Sequence, residues 1–182
     1  MVMKIVGLTY IDGRSQLYLK PDTALLVNRK PFFLPHFTEN ISARPCLLVK
    51  ISRMGRCISS RFAERYYSEY ALGINFIAED MLHEGGVDGV TRAVAFDNSM
   101  AVGGFVEGDI HESEWSINGM KLPFGGVIED VSSAVERVSG YVTLRTGDMV
   151  AVDFSCTPVQ VKREDVVVAS AGGEELLYCK IK

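Results

Sequence analysis

The stretch CLLVKISRMGRCISSRFAERYYSEYALGINF, residues 46–76, decides how the rest of the chain is read. It opens with Cys46 to Ile51, a short and nearly continuous apolar run of the kind found in strands covered on both faces. Such a strand belongs near the centre of a sheet. In Arg61 to Tyr70, Phe62, Tyr66 and Tyr70 stand at i, i+4 and i+8, which predicts a short surface helix with its charges on the opposite side. Ala71 to Ala78 is strand-like again. The block therefore predicts two strands joined through one helix.

Outward from it, Met3 to Thr9 and Gln16 to Leu19 have the pattern of short strands, and Lys20-Pro21-Asp22 then starts a turn. Ala101 to Val106 resembles a glycine-containing strand near close packing. Apolar residues at 127, 128, 131, 134, 135 and 138 form one helical face. Val142 to Asp153, Asp165 to Ala169 and Glu175 to Ile181 complete the strands, punctuated by Gly-Asp and Gly-Gly turns. No repeat or Pro/Ser-rich linker divides the chain, so the expectation is one α+β domain over residues 1–182, dominated by β structure.

A composition of 47% hydrophobic and 23% charged residues is that of a globular protein. The formal charge of −4 offers no field for a polyanion, so small molecules or proteins are better partners than nucleic acid or an acidic membrane. No apolar run has the length of a membrane span and MVMKIVGLTY has no cleavage pattern, which together predict a cytoplasmic protein. Cys46, Cys57, Cys156 and Cys179 are widely separated among apolar or β-branched neighbours, as reduced cysteines often are.

Motifs for common chemistries are missing from the sequence. There is no G-x-S-x-G elbow, no phosphate-binding G-x-x-x-x-G-K-[ST] and no G-x-G-x-x-G. His36, His83 and His111 are far apart and form no zinc motif. The acidic run Asp109, His111, Glu112 and Glu114 could attract a cation, but a solvated loop or edge strand is the commoner reason for it. Arg53, Arg56, Arg61 and Arg65 could grip an anion or simply face solvent.

Several blocks in order resemble the fumarylacetoacetate hydrolase family, in particular its small single-domain bacterial members. These are LYLKPDTALL (17–26), KPFFLPHF (30–37), the 46–76 block, AFDNSMAVGGFV (95–106), TLRTGDMV (143–150) and SCTP (155–158). The resemblance implies a mixed β-roll and usually a dimer. It also implies Mg²⁺ or Mn²⁺, held by two glutamates at alternate positions of one strand and an aspartate on the next. The metal then polarises a keto acid for C–C hydrolysis, decarboxylation or isomerisation.

At the positions that match those ligands the chain has Arg44, Cys46 and Asn75. The family's Gly-x-Asp-x-x-Ala-Arg-Asp pattern becomes Gly73-Ile74-Asn75-Phe76-Ile77-Ala78-Glu79-Asp80, so that Glu79 stands for an arginine. Leu82 stands for the pocket glutamine and Val94 for the lysine before Phe-Asp. The lid between Tyr10 and Leu19 is shortened. Lys20, Asp22 and Thr157 persist as pocket candidates, with Arg44 as a possible carboxylate grip. Replacing acids by Arg44 turns attraction for a dication into repulsion of about several kcal/mol at an effective dielectric near 20. The expectation is therefore a family member without a metal cofactor, one that binds a small carboxylate or serves as a scaffold, in a homodimer or paired with an active relative. The alternative is an altered but active hydrolase, decarboxylase or isomerase, with Cys46 beside Arg44 as a thiolate.

Overall fold

The computed structural model describes residues 3–27, 29–107, 114–122 and 126–182. In chain order its strands are β1 (Lys4–Ile11), β2 (Arg14–Pro21), β3 (Leu25–Leu26), β4 (Ile41–Ile51), β5 (Tyr67–Ala78), β6 (Met100–Val102), β7 (Val106–Glu107), β8 (Trp115–Ile117), β9 (Met120–Leu122), β10 (Met149–Asp153), β11 (Val159–Gln160), β12 (Val166–Ala171) and β13 (Glu174–Lys180). The helices are α1 (Glu79–Leu82), α2 (Gly86–Val94) and α3 (Val131–Tyr141), with 3₁₀ turns at Asp22–Ala24 and Ser60–Tyr66. The fold is α+β and mainly β, as the sequence predicts.

The large sheet runs β2-β1-β10-β4-β5-β6-β3, with β11 added to β4 and β7 to β5. A second sheet runs β13-β12-β8-β9. β4 is central, as its apolar run requires: every residue from Ile41 to Val49 is buried. Pro45 is tolerated there because its missing N–H falls in a gap. β10 pairs with β4 only as far as Cys46, and β11 takes over at Ala43. The large sheet curls until β2, at one end of the path, faces β5 and β6, so that Lys20 reaches main-chain oxygens at Phe76 and Ser99.

One core fills the inside of this roll, where Ile5, Phe32, Leu48, Phe76 and Met100 are buried with the inner face of the second sheet. The other lies under α3, where Ala134, Val135 and Val138 pack on Val6, Leu8, Val49, Val150 and Val152. The period-two alternation of β1 and β10 divides their side chains between the two cores.

Three local expectations are corrected. Arg61 to Tyr70 is helical only in its first part: a 3₁₀ helix, Ser60–Tyr66, gives way to β5 at Tyr67. The helix expected from Val127 starts at Val131, and the strand expected from Val142 starts at Met149. Gly103 and Gly104 separate β6 from β7, because a Cβ at Gly103 would come within 2.9 Å of the Leu176 oxygen. Of the acidic run, Asp109, His111 and Glu112 lie outside the described residues, and Glu114 is an exposed partner of Lys121. Arg53 lies over the Tyr66 ring, and Arg61 and Arg65 over Phe62, on the exposed surface.

Candidate functional site

Alternation along β4 puts Arg44 and Cys46 on one face, and antiparallel register sets Asn75 directly across from Arg44. The three positions singled out in the sequence are therefore neighbours inside the roll. All are buried, with Arg44 8% exposed and Cys46 and Asn75 fully covered.

The Arg44 guanidinium is heavily engaged. Nη2 donates to Glu79 Oε1 at 2.6 Å, while Nη1 donates to Thr9 Oγ1 at 3.0 Å and to the Tyr10 carbonyl at 2.7 Å. Ser42 donates to the same Glu79 oxygen. Thr9 in turn donates to Asp153, whose two oxygens accept from Asn75 Nδ2 at 3.2 Å each. A continuous polar chain thus runs Glu79, Arg44, Thr9, Asp153, Asn75, crossing β1, β10, β4 and β5.

Asp153 was missed in the sequence, where it is simply the polar end of an expected strand. It lies opposite Cys46 through the β10–β4 register. Burial pushes its carboxyl up to about 7, against the opposing pull of the Thr9 hydrogen bond and the Arg44 charge. Burial also lowers Lys20 to about 7, a shift that the Asp153 charge opposes. The Lys20 ammonium donates to the Val94 carbonyl at 2.5 Å, to the Ser99 carbonyl at 3.2 Å and hydroxyl at 2.9 Å, and to the Phe76 carbonyl at 3.3 Å. The Cys46 thiol sits 3.6 Å from Met100 Sδ, and burial holds it well above its ordinary pKa. That disfavours the thiolate of the nucleophile reading.

The other two pocket candidates are not brought to this cluster. Asp22 is exposed in the 3₁₀ turn after β2, and Thr157 is exposed beyond β10. Two buried atoms in the cluster have no hydrogen-bond partner among the described residues, Tyr18 Oη and Asn75 Oδ1. Such groups cost free energy and mark where polar function or bound solvent concentrates.

No family model matches the chain. It is 27% identical over 177 residues to the mitochondrial oxaloacetate tautomerase FAHD1 of Mus musculus, covering 91% of this chain and 80% of that protein. A Yersinia pestis protein of the fumarylacetoacetate hydrolase family superposes with a TM-score of 0.84 at 22% identity, over 100% of this chain and 93% of that one. Fumarylpyruvate hydrolase from Pseudomonas aeruginosa, in complex with Mn²⁺ and pyruvate, superposes at 0.77 and 20% identity over 100% and 89%. At those identities the structural matches speak for the fold alone.

Proposed function

We propose that the chain is a member of the fumarylacetoacetate hydrolase family without metal-dependent keto-acid chemistry, in which an internal ion-pair network stands where relatives hold a cation. The observation that carries this reading is the Arg44–Glu79 pair at 2.6 Å. Relative to the family pattern the two charges have exchanged places, with Arg44 where a ligand glutamate is expected and Glu79 where an arginine is. The donor set does not suit Mg²⁺ or Mn²⁺, which need hard anionic oxygens. Here a guanidinium, a thiol and a neutral amide are offered, and Asn75 Oδ1, unpartnered among the described residues, is the one hard oxygen among the three side chains. The carboxyl of Asp153, pushed up to about 7 by burial, is engaged as the acceptor of the Asn75 Nδ2 hydrogen bonds.

Because Arg44 spends its donors inside the protein, a scaffold role fits better than recognition of a carboxylate by Arg44. We place the scaffold in a dimer, with itself or with an active relative. Calorimetric titration with Mn²⁺, together with oxaloacetate and acylpyruvate turnover assays, tests the reading. The expected result is neither binding nor turnover, and micromolar Mn²⁺ affinity with turnover overturns it. A keto-acid panel in thermal shift separates the two roles, since a sensor is stabilised by its ligand and loses the effect in Arg44→Ala whereas a scaffold shows none.

A second reading, an enzyme with an altered site, rests on Lys20 and Asp153, two buried groups both brought to about 7, where acid–base catalysts work. Turnover that survives removal of metal but is lost in Asp153→Asn would select it.

A further inference from the structure

Away from the buried cluster, β13 ends the second sheet, and its outer side has a break in its pairing. The Lys180 carbonyl accepts from the Phe32 amide at 2.8 Å and the Leu176 carbonyl from the Gly104 amide at 2.9 Å, so that side is covered at both ends. Tyr178 lies between them. Opposite it on β12, Val168 spends its carbonyl on the Asn118 amide and its own amide on Asn118 Oδ1, each at 2.8 Å and both toward β8. Val168 and Tyr178 are therefore a pair without hydrogen bonds between them, and the amide and carbonyl of Tyr178 point away from β12. Among the described residues nothing pairs with them there.

Tyr178 lines a cavity of about 340 Å³ between β13 and β3, the edge strand of the large sheet. That is the lower part of the size range of small-molecule sites. Leu26, Val102 and Leu177 give it an apolar wall. Arg29 and Lys30 line it too, and no Asp or Glu among the described residues does. Glu175, outside the lining, holds one Arg29 nitrogen, and the guanidinium lies 5.5 Å from the centre of the Tyr178 ring. Lys30 is exposed and has no ion-pair partner among the described residues. An open strand edge takes up an extended chain through main-chain hydrogen bonds, while an adjoining pocket selects its side chain and cationic groups hold a terminal carboxylate. A cationic guest would meet charge of its own sign, and a guest without amides would leave Tyr178 unpaired.

We propose that this cavity binds the C-terminal end of an extended peptide that finishes in an apolar residue. Main-chain groups of the peptide complete the hydrogen bonds of Tyr178, the last side chain lies against Leu26, Val102 and Leu177, and the carboxylate meets Lys30 and the remaining Arg29 donors. The site uses none of Arg44, Glu79 or Asp153 and does not depend on how that cluster is read.

Calorimetry and NMR titration of the whole chain with acetyl-alanyl-leucine, carrying a free carboxylate, test the proposal. This peptide is expected to bind at least about tenfold tighter than its C-terminal amide, than the form methylated at both amide nitrogens, and than 4-methylpentanoate, which keeps the acid and the apolar body but has no amide. The largest amide shifts should fall at Tyr178 and its neighbours in β13. Lys30→Ala, a change at an exposed side chain, should remove the preference for the acid over the amide, with circular dichroism confirming that the variant folds. No binding at about 10 mM, shifts confined to residues outside the cavity, a control that binds as tightly as the free peptide, or a Lys30→Ala variant that keeps the full preference would each overturn it.

Discussion

Arg44 and Glu79 are each worth little alone inside a roll of apolar strands. Their side chains are only 10% and 21% exposed, so a charge left without its partner is costly. Arg44→Ala should destabilise the protein by about 2–4 kcal/mol, less than a fully buried pair would cost because Glu79 keeps some water. Urea denaturation of Arg44→Ala, Glu79→Ala and the double variant checks this, with the double variant expected to be less destabilised than the sum of the singles. Asp153 gives a pH signature of opposite origin. Its folded carboxyl holds a proton up to about pH 7, whereas an unfolded aspartate releases it near pH 4. The folded state therefore binds more protons between about 4 and 7, and stability falls as pH rises through that window. Lys20, lowered to about 7, is the reverse: its contribution is present above about 10.4 and is lost as pH falls to 7. Denaturation midpoints across pH should show the fall between 4 and 7 in the wild type and its absence in Asp153→Asn. At this scale the sequence makes Arg44, Cys46 and Asn75 legible by position, but not Asp153. Nothing in the spacing of a strand end says that it comes to rest opposite Cys46.

At the scale of elements, the β4–β5 ladder holds the cluster in place, and its tightest point is Gly73. A Cβ there would lie 2.4 Å from Leu48 Cδ1 and 2.8 Å from the Ala101 oxygen, a main-chain atom that cannot step aside. Gly73→Ala is expected to cost about 1–3 kcal/mol by overpacking, read from the shift of a chemical denaturation midpoint. The helix α3 depends on its start. Asp130 accepts from the Ser132 and Ser133 amides at 3.2 and 2.9 Å, so Asp130→Ala should lose about 1 kcal/mol of stability, measured in the same way. That cap also explains why the apolar face seen from residue 127 begins too early as a helix. Val127 pairs its backbone with Phe154 and packs its side chain against the two cores, and only after Asp130 does the same hydrophobicity become helical. The tyrosine stripe at 66 and 70 misled for a related reason. Tyr67, between them, is buried with its hydroxyl 3.0 Å from Ser132 of α3, and that tertiary contact fixes the start of β5 against a local 3.6-residue pattern. Strands whose apolar runs are long enough to be covered on both faces, such as β4, carry no such ambiguity; α1, four residues long, is too short to show a period, and α2 was missed because the small residues Gly89 and Ala93 form much of its buried face and its glycines argue locally against a helix.

For the whole molecule, the curl of the sheet brings positions 9, 20, 44, 46, 75 and 153 from five strands into one interior. The fold matches that of the solved structures over the whole chain, and what it gathers here is an arginine, a thiol, an amide, a lysine and one aspartate. If the frame is what the family shares, the charge pattern alone should decide whether a dication is held. Arg44→Glu, Cys46→Glu and Asn75→Asp would place three carboxylates on the inner faces of β4 and β5, and Glu79→Arg would return the partner charge to the start of α1. Three acids close together in a buried site repel one another strongly unless a cation joins them, so the fourfold variant should be less stable than the wild type without metal and should recover on adding it. Calorimetry is expected to detect Mn²⁺ binding in the variant at about micromolar affinity, with no heat from the wild type, and a melting temperature that rises with Mn²⁺ concentration. A variant that folds but takes up no Mn²⁺ would place the difference in the roll itself, in the shortened segment between Tyr10 and Leu19 or in the closed packing around Lys20, rather than in the four exchanged side chains.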